Sequence, residues 1–358
     1  MNKERTILIT ALLSFAVCLS ACGGAKKDPV VSDTSSVITT VPETTQSSET
    51  EAETETETES APEGNNQETS AGSTDNAGPT NAVSAEYNAE VGASYPMRFE
   101  NNAVYCQDPS TGEKKTGYIR INGISYFFDP SAGGQLTDID VNDFFSKSVF
   151  IGNSTSEGLT MYFNSKGKGF LGGPLVAAKV SYTFNSDKSK LDGYMLKYKN
   201  EQLQAKELVK KAGAKRALIM MGTNDLMGAE ASAVAEKYNK YIEGIQQENP
   251  GVVIYIQSTT PRRGTKNSDS LSNDKINELN NLMMEYANSH NNVFYIDIST
   301  PLKDGEGNLS QSYCSDGYVH LNIQGYGVWV NRVVDYVRAV CLEQAVDDAK
   351  ASTQAAGQ

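Results

Sequence analysis

Histidine and closely spaced cysteine pairs are scarce in this sequence. Only His290 and His320 occur among 358 residues, and none of the five cysteines stands in a Cys-x-x-Cys arrangement. Because protein zinc sites are built from His and Cys at such spacings, these shortages argue against a zinc site. Basic residues are also in deficit, with 31 Lys and Arg against 44 Asp and Glu and a formal net charge of −13. Nucleic acid favours clustered Lys and Arg, so we expect no nucleic-acid partner.

The N-terminus has the pattern of a secretory signal. Two basic residues precede an apolar run over residues 7–19, which is too short to span a membrane in a mature protein. The run ends in Leu19-Ser20-Ala21-Cys22, which resembles the lipobox of bacterial lipoproteins. The resemblance implies removal of residues 1–21 and a lipid on Cys22 that anchors the protein to the outer side of the bacterial cell membrane. The alternative is an ordinary cleaved signal in which Cys22 is incidental.

Residues 22–95 are predicted to form a disordered tether. The stretch 31–95 contains 13 Asp and Glu and no Lys or Arg, whereas residues 96–358 carry 27 bases and 29 acids. The acidity of the chain therefore belongs to the tether. Its few large apolar side chains cannot offset the entropy that ordering would cost, and repulsion between its carboxylates should keep it extended.

A short repeat follows the tether. The stretches 105–112 and 126–133 each place an aromatic residue before an Asp-Pro-Ser turn and a glycine, which is a signal for β-hairpins. The pattern resembles the aromatic hairpin repeats of bacterial cell-wall-binding and glucan-binding proteins. That resemblance implies contact with a cell-wall glycan through residues 101–135. The alternative is a β-hairpin decoration over residues 96–143 that packs on the next domain.

Residues 144–345 alternate short apolar runs with amphipathic stretches. Five runs are predicted to be buried strands: 148–151, 176–183, 217–221, 252–256 and 293–296. The stretches between them repeat apolar residues at helical spacing, as in Val234, Tyr238, Tyr241 and Ile245. Strands that alternate with helices predict parallel βαβ units and a sheet covered on both faces. Residues 346–358 are predicted to be a disordered tail.

Polar residues follow the predicted strands at three places, Gly152–Ser156, Gly222–Asp225 and Ser315–Asn322. In open parallel sheets, ligands sit beyond the carboxyl ends of the strands, so these segments should converge at one edge. Together they supply a hydroxyl, a side-chain amide, and an Asp followed by a His. Acyl transfer requires these groups as nucleophile, oxyanion donor, general base and the carboxylate that orients the base.

These segments resemble the SGNH (GDSL-type) hydrolase superfamily over residues 147–342. The most specific signal is a Gly-Thr-Asn-Asp block after a strand, paired with an Asp-Gly…His-Leu block before the last helix. The resemblance implies a flavodoxin-like three-layer α/β/α fold with a five-stranded parallel sheet, and esterase chemistry without metal or cofactor. It also implies four roles: Ser154 as nucleophile, His320 as general base, Asp316 as its orienting carboxylate and Asn224 as oxyanion donor.

Three features depart from the pattern of that superfamily. Asn153 stands where an Asp is usual. No glycine follows the second strand, so Ser181 is our candidate for a second oxyanion donor through its backbone N–H. The spacing from Asp316 to His320 is one residue longer than usual, which leaves open whether the carboxylate faces the imidazole. Asp297, at the end of the fifth strand, is the alternative partner.

The combined prediction is a serine esterase that acts through an acyl-enzyme. Its expected substrate is an acylated glycan or small ester, with O-acetyl on a cell-surface or extracellular glycan in the first instance. One alternative is a surface lipoprotein that keeps the fold and binds glycan without hydrolysis. A second alternative is a GDSL-type lipase for longer acyl esters. Separately, Cys106, Cys314 and Cys341 leave room for one disulfide, and the sequence does not select the pair.

Overall fold

The computed structural model describes residues 95–189, 193–264 and 270–356. The predicted signal peptide, Cys22 and the tether up to residue 94 lie outside the described residues, so lipidation and the tether stay predictions. Within the described ranges, no helix combines the length and the apolar character that crossing a membrane requires.

Residues 97–139 form an antiparallel sheet of short strands. The strands are β1 (Met97–Glu100), β2 (Ala103–Gln107), β3 (Lys114–Lys115), β4 (Gly117–Ile121), β5 (Ile124–Asp129) and β6 (Gln135–Ile139). Their order is β1-β2-β6-β5-β4, with β3 paired to β2. The carboxylates of Asp108 and Asp129 accept the backbone N–H groups of Ser110 and Ser131, so turns form where the Asp-Pro-Ser pattern predicts them.

A parallel sheet follows the short helix α1 (Val141–Ser146). In chain order the next strands are β7 (Ser148–Gly152), β8 (Leu175–Ala178), the hairpin pair β9 (Leu196–Tyr198) and β10 (Glu201–Leu203), β11 (Arg216–Met220), β12 (Val253–Gln257) and β13 (Val293–Ile296). The central sheet has five strands in the order β8-β7-β11-β12-β13, all parallel. The predicted five-stranded parallel sheet is therefore confirmed.

The second predicted strand is shorter than the apolar pattern indicated. β8 ends at Ala178 rather than continuing to Thr183. Residues 179–182 form a turn, in which the Tyr182 N–H donates to the Lys179 carbonyl at 3.1 Å. The chain leaves the sheet here because Ser181 adopts a left-handed backbone conformation, with φ +58°, which no strand accommodates.

Helices cover both faces of the central sheet. They are α2 (Ser154–Ser165), α3 (Phe184–Ser189), α4 (Ala205–Ala212), α5 (Thr223–Leu226), α6 (Ala231–Glu248), α7 (Asn273–Ser289) and α8 (Ile323–Ala356). Successive strand residues point to opposite faces: Ile219 packs with the layer of α4, α6 and α7, whereas Leu218 packs with α2 and α8. This is the three-layer α/β/α architecture that the sequence predicted.

The antiparallel sheet packs on α8 and shares its apolar core. Phe128 of β5 lies in the same buried cluster as Trp329 of α8. The Phe99 N–H donates to Thr353 Oγ1 at 2.9 Å, which ties β1 to the end of the helix. Such packing is what the decoration alternative predicts, and glycan contact through residues 101–135 stays a prediction.

The prediction of a disordered tail over residues 346–358 is wrong as far as Ala356, where α8 ends. Ala345 and Ala349 are buried one helical turn apart and continue the apolar stripe of the helix. The tail is helical because the antiparallel sheet gives that stripe a surface to cover. This contact links the two ends of the described chain, so no local pattern indicates it.

The three cysteines among the described residues are free thiols and are buried. Burial raises the pKa of the Cys106 and Cys341 thiols to about 11, so both stay protonated and unreactive at neutral pH. The disulfide that the sequence left open is therefore not formed among them. Each thiol packs as a small apolar group.

Candidate active site

Ser154 is the first residue of α2, where β7 turns into helix. Asn153 precedes it as the buried N-cap, and its Oδ1 atom accepts the Thr155 N–H at 3.1 Å. The turn is tight, since a Cβ on Gly152 would lie 2.6 Å from the Met220 carbonyl oxygen. Glycine is thus required at this position. The start of the helix also leaves the Ser154 N–H without an intrahelical acceptor.

His320 connects the hydroxyl of Ser154 to the carboxylate of Asp316. His320 Nε2 lies 3.0 Å from Ser154 Oγ, and His320 Nδ1 lies 2.6 Å from Asp316 Oδ2. Both distances are in hydrogen-bond range. When Nδ1–H donates to the carboxylate, Nε2 is left as an acceptor for the Ser154 hydroxyl. The structure therefore brings together the three residues that the sequence predicted to act together.

The loop from Asp316 to His320 accommodates the extra residue in its spacing. Gly317 has φ +71°, a left-handed conformation that residues with a Cβ rarely adopt. Asp316 Oδ1 accepts the backbone N–H groups of Tyr318, Val319 and His320 at 2.8, 3.1 and 3.1 Å. The loop wraps around one carboxylate oxygen and leaves the other to the imidazole.

These hydrogen bonds determine the charge of Asp316. Partial burial raises the pKa of its carboxyl, but hydrogen bonds from the His320 side chain and from the Tyr318 and His320 amides outweigh burial and lower the pKa to about 2. Asp316 is therefore ionised at neutral pH. Asp297, the alternative partner, instead accepts two backbone N–H groups at 3.0 Å each in the turn after β13.

Asn224 and Ser181 lie after the two strands that flank β7. Asn224 is in α5, directly after β11, and its Nδ2 atom donates to the Tyr182 carbonyl at 3.1 Å. One of the two amide hydrogens stays available, because a side-chain amide carries two. Ser181 follows β8, and its φ of +58° is a conformation that glycine adopts readily. Among the described residues, the Ser181 N–H has no hydrogen-bond acceptor.

Asp225 contacts the same loop from the next position of α5. Its Oδ1 atom accepts the Phe184 N–H at 3.2 Å, and its Oδ2 atom is buried without a partner in the described part of the chain. The residue is 7% exposed, and burial raises the pKa of its carboxyl to about 6. Asp225 is thus a buried carboxyl group beside the predicted oxyanion donor.

Tyr326 supports the site and was not identified from the sequence. Its hydroxyl donates to the Thr155 carbonyl at 2.8 Å, which ties the first turn of α2 to α8. The hydroxyl fits because residue 158 is glycine, where a Cβ would lie 1.9 Å from the phenol oxygen. The sequence signal is only a tyrosine on the buried stripe of the last helix, which periodicity does not distinguish from core.

The Ser154–His320–Asp316 cluster lies outside two clefts in the described part of the chain. These clefts, of about 550 and 470 Å³, are lined by none of its members and not by Asn224. The side chains of His320 and Asp316 are 40% and 34% exposed, so the cluster faces open surface. Over the described ranges, no group of three His, Cys, Asp or Glu side chains is placed to hold a metal ion.

A three-layer α/β/α fold with a hydrogen-bonded Ser–His–Asp cluster at the carboxyl edge of its sheet defines a class of serine-hydrolase-like proteins. The chain belongs to the GDSL-like lipase/acylhydrolase family, whose profile matches residues 150–328, half of its 358 residues. The resemblance drawn from the paired motifs is thus confirmed. The lipid on Cys22 and the glycan contact through residues 101–135, which rest on the other two resemblances, stay predictions.

Parts of the chain are similar to two curated proteins and to one solved structure. The chain is 30% identical over 140 residues to an N-acylneuraminate cytidylyltransferase of Escherichia coli O18:K1:H7, covering 38% of this chain and 32% of that protein. It is 27% identical over 145 residues to a multidomain esterase of Ruminococcus flavefaciens, covering 39% of this chain and 18% of that protein. The chain therefore spans about a third or less of the length of these relatives. A GDSL-like lipase of Bacteroides thetaiotaomicron VPI-5482 aligns with a TM-score of 0.40 and 18% identity, over 54% of this chain and 89% of that chain.

Proposed function

We propose that the protein is a serine esterase that works through an acyl-enzyme. The observation that carries the proposal is the continuous hydrogen-bonded chain from Ser154 Oγ through both ring nitrogens of His320 to Asp316. Membership of an acylhydrolase family supports the same reaction. As Ser154 attacks the ester carbonyl, His320 Nε2 takes the hydroxyl proton, and the ionised Asp316 stabilises the resulting imidazolium.

The negative charge that develops on the carbonyl oxygen requires hydrogen-bond donors. Three are proposed at this edge: the Ser154 N–H, the Ser181 N–H and the second hydrogen of Asn224 Nδ2. Collapse of the tetrahedral intermediate expels the alcohol, which receives the proton from His320 and leaves the acyl group on Ser154 Oγ. Water, deprotonated by His320, then attacks the acyl-enzyme and releases the acid.

The geometry favours the esterase over a protein that only binds glycan. Asn153 suggested lost activity, yet its side-chain oxygen caps the Thr155 N–H as an aspartate oxygen would. The longer spacing between Asp316 and His320 suggested a displaced carboxylate, yet the two side chains are hydrogen-bonded. Neither departure from the superfamily pattern therefore separates the reacting groups.

We propose a small acyl group, acetyl in the first instance. A lipase needs an apolar groove for a long acyl chain beside its nucleophile, and Ser154 lines neither of the two clefts described above. The proposed alcohol part is a cell-surface or extracellular glycan. Three predictions from the sequence support the glycan. The signal peptide would direct the protein out of the cytoplasm, and the lipid on Cys22 would attach it to the membrane. Residues 101–135 also resemble the repeats of cell-wall-binding proteins.

Release of acetate from acetylated cell-wall polymers tests the reaction and the substrate class together. The wild type should release acetate, and the Ser154→Ala variant should release none above background. A fluorophosphonate should label the wild type at Ser154 and leave Ser154→Ala unlabelled. Labelling with no acetate release would retain the esterase and exclude this substrate, whereas an inert Ser154 in folded protein would favour the glycan-binding alternative.

Acyl-chain selectivity separates the acetylesterase from the lipase. With p-nitrophenyl esters, the wild type should have its highest kcat/KM for acetate and lose activity steadily from butyrate to octanoate. The matched control is the spontaneous hydrolysis rate of each ester with Ser154→Ala present. A kcat/KM that rises with chain length would instead support the lipase.

A further inference from the structure

The loop between β8 and α3, residues 179–183, is attached to α5 by two consecutive side chains. Asn224 Nδ2 donates to the Tyr182 carbonyl at 3.1 Å, and the Phe184 N–H donates to Asp225 Oδ1 at 3.2 Å. One contact uses a carbonyl and the other an N–H group, on either side of a single residue. A short loop held in this way has little freedom to move along or away from α5.

The other attachments of this loop lead to different elements. The Lys179 N–H donates to the Gly152 carbonyl at 3.2 Å, which fixes the start of the loop to β7. The buried Tyr182 hydroxyl donates to Asp187 Oδ1 at 2.7 Å, and that oxygen also accepts the Ala205 N–H of α4 at 2.7 Å. These contacts lead to β7 and α4 and not to the helix that carries Asn224. The distance of the loop from that helix is restrained by the Asn224 contact with the Tyr182 carbonyl and by the Asp225 contact with the Phe184 N–H.

The placement of Asp225 suggests more than a structural brace. A carboxyl group that is 7% exposed is costly to bury when one of its oxygens accepts a single N–H from another residue and the other oxygen has no hydrogen-bond partner among the described residues. It stands next to one proposed oxyanion donor, Asn224, and it holds the segment that contains the other, Ser181. Ser181 follows β8 and Asn224 follows β11, so the two donors lie in different loops. Their convergence on one oxygen atom therefore depends on the contact between these loops.

We propose that Asp225 is a positioning residue for oxyanion stabilisation: through the Phe184 amide it keeps the Ser181 N–H in register with the side-chain amide of Asn224. The inference rests on the proposed esterase function. Oxyanion donors act because they are already aimed at the position that the charge will occupy. A displacement of about 1 Å is enough to cost roughly 100-fold in rate at such a site.

The test compares Asp225→Ala with Asp225→Asn, using p-nitrophenyl acetate. Asp225→Ala removes the acceptor, so kcat should fall about 10- to 100-fold while KM changes by less than about threefold, because the donors act mainly in the transition state. Asp225→Asn keeps an oxygen acceptor for the Phe184 amide, so its kcat should stay within about threefold of wild type. Asp297→Ala is the matched control, since it removes a carboxylate that caps a turn at the same edge and should leave kcat within about threefold.

Amide hydrogen exchange gives a readout that does not depend on turnover. Peptides that cover residues 181–184 should exchange about tenfold faster in Asp225→Ala than in wild type and at the wild-type rate in Asp225→Asn. Peptides from β7 should exchange equally in all variants. If Asp225→Ala fails to fold, Asp225→Leu fills the buried position without an acceptor and should show the same kinetic and exchange changes.

The outcomes separate this inference from the function on which it rests. Absence of Ser154-dependent turnover in the wild type would overturn the esterase, and the positioning role with it. Ser154-dependent turnover together with an unchanged kcat in both acceptor-free variants would overturn the positioning role alone. The positioning role would also be overturned if kcat fell as far in Asp225→Asn as in Asp225→Ala. The loss would then come from the missing charge and not from the missing hydrogen bond to the Phe184 N–H.

Discussion

Two aspartates at the same edge of the sheet are held in opposite ways. Asp316 is one-third exposed, and its carboxylate accepts three backbone N–H groups and the His320 imidazole. Asp225 is almost fully buried and accepts one backbone N–H. The pKa of Asp316 is lowered to about 2, whereas burial raises the pKa of Asp225 to about 6. Hydrogen bonds to the charged form outweigh burial and lower the pKa at Asp316, whereas burial outweighs the fewer hydrogen bonds and raises the pKa at Asp225.

The difference in pKa agrees with the roles that we propose for the two side chains, Asp316 as the carboxylate that orients His320 and Asp225 as a positioning residue. A carboxylate that faces an imidazole must be charged when the imidazolium forms, and the loop around Asp316 ensures this at any pH well above about 2. A side chain that only holds a loop needs an acceptor oxygen and no charge. Replacing each carboxylate by its neutral amide should therefore affect one site strongly and the other weakly.

The largest expected effect is that of Asp316→Asn. Asparagine keeps the shape of the side chain, but its N–H group favours the imidazole tautomer with the proton on Nε2, which cannot accept the Ser154 proton. We expect kcat for p-nitrophenyl acetate to fall about 10⁴-fold with KM nearly unchanged. Asp225→Asn is the comparison variant and should stay near wild type. Equal losses in the two variants would show that the distinction between the two carboxylates is wrong.

The next effect concerns the oxyanion donor beside Asp225. Asn224→Ala removes both the proposed donor and the hydrogen bond to the Tyr182 carbonyl, so kcat should fall about 10²- to 10³-fold. Asn249→Ala is a matched control, because its amide also donates to a backbone carbonyl, that of Lys206, but lies after α6. If both variants keep full activity, Asn224 is not an oxyanion donor and has only a structural role.

Unfolding as a function of pH examines the buried carboxyl directly. The pKa of Asp225 rises from 3.8 to about 6 on folding, so its contribution to stability is fully present below about pH 3.8 and is lost as the pH rises through about 6. Relative to Asp225→Asn, which does not titrate, the wild type should lose about 3 kcal/mol of unfolding free energy between pH 4 and pH 8. Urea unfolding of both proteins at several pH values measures the difference. A difference that does not change with pH would mean that Asp225 is as well solvated in the folded protein as in the unfolded chain.

The residues of the proposed triad could be predicted from the sequence because each stands in a short motif beside a strand end. Parallel strands bring their carboxyl ends to one edge, so Ser154, Asn224 and the Asp316–His320 loop converge without knowledge of their packing. The early end of β8 could not be predicted, since Val180 and Tyr182 continue an apolar run that the left-handed turn at Ser181 interrupts.

Long-range packing accounts for the other features that could not be predicted from the sequence. Tyr326 reaches the first turn of α2 from the last helix, and the helical tail to Ala356 depends on the antiparallel sheet that precedes the domain. Both contacts join residues far apart in the sequence. Local periodicity gives a helix and its buried face in such cases, but it does not reveal the partner that makes a residue part of a site or keeps a terminus ordered.

The smallest effect is expected from the loop that keeps Asp316 charged. Gly317 has φ +71°, and a Cβ there would meet nothing within 4 Å, so Gly317→Ala introduces backbone strain without a clash. The strain should lower the unfolding free energy by about 1 kcal/mol. Gly305→Ala is the matched control, since it also has open space but no left-handed backbone, and it should be neutral or slightly stabilising. Urea unfolding compares the two. Equal stability of both variants would mean that the loop relaxes to another conformation. In that case kcat should fall, because the three N–H groups that hold the Asp316 carboxylate would no longer converge on it.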